Sequence, residues 1–203
     1  MEETKLMSLM KNINYKHTCM VTCAKDQMNE ISEFINDNKP EKSVLVKISL
    51  QNWEKSEDEF GVKYDEQFWN IMQNLMGELS KISGIDIDDA DDSEFEMDVS
   101  NTLLPLLEKI VEDGKKCYII IENFECMNTI FPDDGMENGK EHIPLEQLSY
   151  LSAKNNTDTD TLDKTYVILL SDILIEDVEI YKYKNRFEES EWPYFKCDER
   201  EQK

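Results

Sequence analysis

Apolar positions recur along this chain in two distinct periods, and the alternation between them predicts its elements. Leu6, Met7, Met10 and Ile13 fall at helical spacing, so residues 2–13 read as a short amphipathic helix. The compact run 18–22, TCMVT, reads as a strand. Behind it Met28, Ile31, Phe34 and Ile35 return to offsets of three and four, and Asn38 and Pro40 close that helix. Residues 43–50, SVLVKISL, form a second apolar run interrupted by Lys47. The polar stretch 51–68 carries Gly61 and is expected to be a loop. Phe68, Met72, Leu75, Leu79 and Ile82 then predict a further helix, widened by Trp69 and Met76.

The second half repeats the scheme. Residues 86–98 hold eight acids in thirteen, and their mutual repulsion predicts a solvated loop. It lacks the central glycine and terminal glutamate of a calcium loop. Val99, Leu103, Leu106 and Ile110 predict a helix ending at Gly114, with Pro105 either starting or kinking it. The run 117–121 is apolar throughout and ends abruptly in Glu122 and Asn123, as a strand buried on both faces does. A polar loop, a short helix near 145–152 and a last apolar strand, 165–170, complete the pattern, with Ser171 and Asp172 at its end. Strands alternating with helices predict an α/β fold in three layers around a mostly parallel central sheet, because each parallel return needs a crossover. The expected organisation is one α/β domain over residues 1–180, followed by an acidic tail, 181–203, that docks its aromatics before trailing off.

Composition narrows the functional classes. Among 203 residues, 22 Lys and Arg face 45 Asp and Glu, a net charge of −23, which excludes nucleic-acid or anionic-membrane binding through the overall field. No apolar run reaches the roughly 18 residues of a membrane span. The start of the chain lacks the pattern of a signal peptide, so a cytoplasmic location is expected. Cys19, Cys23, Cys117, Cys126 and Cys197 form no CxxC and read as small thiols, mostly buried. His17 and His142 have no second ligand within helical reach, so no metal is expected. No hydrolase or dehydrogenase motif is present.

Three strings carry a family resemblance over roughly residues 1–180. IIIENFECM resembles a Walker B strand end, TYVILLSD resembles the strand bearing the sensor 1 residue, and TCMVTCAKDQMNEISEFI stands where a first strand, Walker A loop and helix would be. The chain thus resembles a P-loop ATPase core of the AAA+ or STAND type, in degenerate form. The Walker A pattern GxxxxGK[ST] uses glycines to expose amides, a lysine to neutralise phosphate and a hydroxyl to hold magnesium. Laid on this chain, the four positions are Cys23, Met28, Asn29 and Glu30, and none has the required chemistry. Glu122 falls at the magnesium-organising position and Asn123 at that of the water-polarising acid, where an amide cannot act as a base. Sensor 1 falls on Ser171 or Asp172, and Arg186 and Arg200 are the only arginines that could serve as a finger. Alternatively, Glu122 and Asn123 simply cap the sheet edge by bonding backbone amides.

The resemblance implies a catalytically inactive pseudo-ATPase without a cofactor. Its role would be that of a protein-interaction module, partnered by an active ATPase or a multi-subunit assembly and making no direct contact with nucleic acid or membrane. The lid domain usual in AAA+ proteins has no counterpart after about residue 180, so an autonomous motor is not expected. Trp53, Phe60 and Trp192 are the candidate partner contacts, being large aromatics in polar surroundings. Two alternatives stay open: an acidic decoy that mimics nucleic acid on a basic protein, and an ATPase-like protein that still binds nucleotide weakly.

Overall fold

The structure, a computed structural model, describes residues 3–16, 18–51, 64–85, 103–126, 163–173 and 194–196. In chain order the elements are α1 (Glu3–Lys16), β1 (Thr18–Thr22), α2 (Lys25–Asn38), β2 (Ser43–Ser49), α3 (Tyr64–Ser83), α4 (Leu104–Glu112), β3 (Lys116–Glu122), a single 3-10 turn (Phe124–Cys126), β4 (Thr165–Ser171) and β5 (Tyr194–Lys196). The strands form one sheet in the order β2-β3-β4-β1-β5, and every pairing is parallel. The α/β class and the parallel central sheet agree with expectation.

Pleating explains the layers. On one face Cys19, Val21, Tyr118, Ile120, Tyr166, Ile168 and Leu170 form a single apolar cluster with Leu6, Leu9, Met10 and Ile13 of α1 and Met28, Ile31 and Ile35 of α2. Alternate residues such as Ile119, Ile121, Val167 and Leu169 point to the opposite face and are equally buried. There α3 lies against β2 and α4 against β3. Both faces of β3 and β4 are therefore sealed, which is why those strands read as unbroken apolar runs rather than alternating ones. Tyr118 and Tyr166, opposite each other in register, stack with centroids 4.5 Å apart, and the Tyr118 hydroxyl donates to Asn14 Oδ1 at 2.8 Å, tying α1 to the sheet. Burial alone pushes the Cys117 thiol up to about 12, so it stays protonated and inert.

Two sequence expectations need correction, and one open alternative, that of Pro105, is decided. Helix α3 starts at Tyr64, inside the stretch read as a loop through Phe68, because its first turn carries no periodic apolar residue to announce it. Pro105 lies in the first turn of α4, so it starts that helix rather than kinking it. Tyr194–Lys196, assigned to the tail, forms a fifth strand paired with Met20, Val21 and Thr22 of β1, so this piece belongs to the sheet. The acidic stretch 86–98 and the helix expected near 145–152 lie outside the described residues. No helix among the described residues is long and apolar enough to cross a membrane.

Candidate functional site

Parallel strands bring all their carboxyl ends to one edge, where open α/β sheets receive ligands. At that edge lie Thr22 to Lys25 after β1, Glu122 to Cys126 after β3, and Ser171 to Ile173 after β4.

The connection from β1 to α2 is short. The Cys23 amide still donates to the Ser171 carbonyl at 2.9 Å, extending the ladder by one residue, Ala24 is extended, and α2 begins at Lys25. Ala24 offers no side-chain acceptor at the cap; Gln27 Oε1 instead reaches back to the Ala24 amide at 3.2 Å. Two residues cannot form the glycine-rich cradle that a phosphate-binding loop requires. Met28, Asn29 and Glu30 lie within α2, Met28 buried in the core and the other two exposed, so the degenerate Walker A positions do not form a loop at all.

Glu122 is engaged through one carboxylate oxygen. Ser32 Oγ on α2 donates to Glu122 Oε1 at 2.7 Å, and Lys47 Nζ on β2 lies 3.4 Å from the same oxygen. The Lys47 ammonium also donates to Asn29 Oδ1 at 3.4 Å, which links Asn29 to the Glu122 carboxylate through a shared cation. Asn123 takes a left-handed backbone, φ 57°, a conformation asparagine tolerates better than most residues, and its Nδ2 donates to Ser49 Oγ at 2.8 Å. Both residues thus hold the sheet edge together, through side chains of α2 and β2 rather than through backbone amides.

Ser171 is buried, and its hydroxyl closes a local turn, donating to the Ile173 carbonyl at 3.1 Å and accepting from the Ile173 amide at 3.3 Å. Thr22 Oγ1 donates to the same carbonyl at 3.3 Å.

The remaining charges form a cluster that sequence reasoning missed. Lys25 Nζ lies 3.3 Å from Asp172 Oδ2 and 3.7 Å from Glu125 Oε1, and the Asp172 amide donates to Glu125 Oε2 at 3.2 Å. The hydrogen bond to Asp172 and its charge, with Glu125 behind them, raise the lysine above its ordinary value. Burial chiefly raises the Glu125 carboxyl, and the charge of Asp172 pushes it the same way against the lowering effect of two backbone hydrogen bonds. Of the three, Asp172 was legible in the sequence as a sensor 1 candidate; Lys25 lies just past β1, and Glu125 carries no signal except its place just past a strand end.

The edge therefore brings together Cys23, Glu122, Asn123 and Ser171, with Asn29 tied to Glu122 through Lys47, while Met28 is buried in the core and Glu30 is exposed on α2. Trp53, Phe60 and Trp192 lie outside the described residues. Among the described residues no group of three or more His, Cys, Asp or Glu is placed to hold a metal ion.

Comparison with protein-family models and with curated proteins finds no match. Among solved structures, the chain aligns with one from the structure of Drosophila ORC bound to AT-rich DNA and Cdc6, at TM-score 0.48 and 11% identity, over 96% of this chain and 52% of that one. The chain thus spans about half the length of the chain it matches.

Proposed function

We propose that this protein is a pseudo-ATPase: a P-loop NTPase-like core that neither binds nor hydrolyses ATP in the usual way and serves as a protein-interaction module. The observation that carries the reading is the commitment of Glu122. A carboxylate that organises magnesium must present free oxygens to the metal and its waters. Here one Glu122 oxygen, Oε1, is held by both Ser32 and Lys47, and the side chain is only 12% exposed. The short β1–α2 turn and the amide at position 123 support the same reading, since the first leaves no phosphate cradle and the second supplies no base.

An interaction role follows on economy: a sheet kept intact without its chemistry retains value as a surface, in association with an active ATPase or within a larger assembly. Calorimetric titration with Mg-ATP tests the inactive core, and the expected result is no magnesium-dependent heat at submillimolar nucleotide. Saturable binding in that range that disappears with EDTA overturns the reading. For the interaction role, the native protein is expected to migrate in a complex larger than its 23.9 kDa monomer, and migration as a monomer at endogenous concentration counts against it.

A further inference from the structure

Among the described residues, Glu125 is the least satisfied group at this sheet edge. It sits on the 3-10 turn directly after β3, its side chain is 11% exposed, and its buried Oε1 has no hydrogen-bond partner among the described residues. Its Oε2 accepts the Asp172 amide, so only Oε1 is orphaned. Lys25 Nζ, 3.7 Å away, is too distant to donate to it, and that ammonium sits closer to Asp172, at 3.3 Å. A buried carboxylate oxygen facing a second carboxylate, with one shared cation already nearer its rival, lacks a hydrogen atom. We propose that Glu125 is a proton-binding site, its buried oxygen taking up a proton and facing Asp172, so that Lys25, Glu125 and Asp172 form a pH-operated clasp joining the carboxyl ends of β1, β3 and β4.

Among the described residues, the groups facing Glu125 are Lys25 from the start of α2, Asp172 from the end of β4 and Cys126 on its own turn, whose thiol is also raised by burial and by the Glu125 charge. With Glu125 ionised, one cation faces two carboxylates and the edge is net negative. Protonation brings the cluster to neutrality and satisfies the orphaned oxygen. Because the folded-state affinity for the proton exceeds that of the unfolded chain, the stabilisation is complete below the unfolded value and is lost as pH rises through the folded one. The inference stands apart from the pseudo-ATPase reading, since it concerns only a proton and this chain's own side chains.

The test is a pH titration of the full chain carrying ¹³C-labelled glutamate carboxyls, with the Glu125 signal assigned by its loss in Glu125→Gln. The expected midpoint lies above the roughly 4.3 of an ordinary glutamate. Asp172→Asn, which removes the facing carboxylate, is expected to move the midpoint down, and Lys25→Met, which removes the cation, to move it up. Thermal melts give an independent readout: Glu125→Gln is expected to raise Tm above the midpoint and to lose that advantage below it. A Glu125 midpoint at or under the ordinary value, or one indifferent to Asp172→Asn, overturns the proposal, as does a Tm difference that is the same at every pH.

Discussion

Ser32 is a small side chain with a large structural duty. It lies on α2 at 3% exposure and supplies the shortest bond to Glu122, the charged end of the central strand β3. Ser32→Ala leaves that carboxylate only its contact with Lys47, and the expected loss is about 1.5 kcal/mol, near the range for a hydrogen bond to a charged group. Urea unfolding monitored by circular dichroism measures it; a loss under a few tenths would mean that Lys47 alone, or water, satisfies Glu122. Residue identity predicted chemistry better than geometry here. That Asn123 is not a base follows from its amide, whereas the Ser32–Glu122 and Lys25–Asp172–Glu125 contacts join residues far apart in sequence and are created by the parallel register.

Helix α4 ends in a motif whose cost of disruption can be stated. Gly114, φ 74°, lets its own amide donate to the Val111 carbonyl at 2.8 Å while the Lys115 amide reaches the Ile110 carbonyl at 3.2 Å, and the chain turns directly into β3. A Cβ at this position meets nothing within 4 Å, so Gly114→Ala is expected to cost about 1 kcal/mol from backbone strain alone, without a clash. A larger loss in chemical denaturation would show that β3 shifts with the helix end. This stop was legible, as were the four longer strands, because apolar runs bounded by glycine, proline or acids have few other interpretations. The start of α3 was not, since Tyr64 to Gln67 hold polar residues that suit a loop as well as a helix. Neither was β5: three residues in an aromatic and charged context gain strand character only by lying beside β1.

At the scale of the whole molecule the net charge of −23 is the dominant long-range term. Raising sodium chloride from 20 to 200 mM shortens the Debye length from about 20 Å to about 7 Å, which screens the self-repulsion of the compact state. Tm is expected to rise by roughly 3 °C, equivalent to about 1 kcal/mol in a domain of this size. Calorimetric scans at the two salt concentrations read it directly, and an unchanged or lower Tm would place the acids far enough apart to ignore one another.

The strand order also governs how the protein can be made. β1 and β2 leave the ribosome one after the other but never touch, because β3 and β4 lie between them, and the partner of Thr18 is Val167. At a translation rate of about 5–20 residues per second, β1 waits roughly 7–30 s for its neighbour. During that interval Cys19, Met20 and Val21, all buried in the finished sheet, have no strand to pair with, and α1 and α2 have only half a surface to cover. The sheet can therefore close around β1 only after β4 has been synthesised.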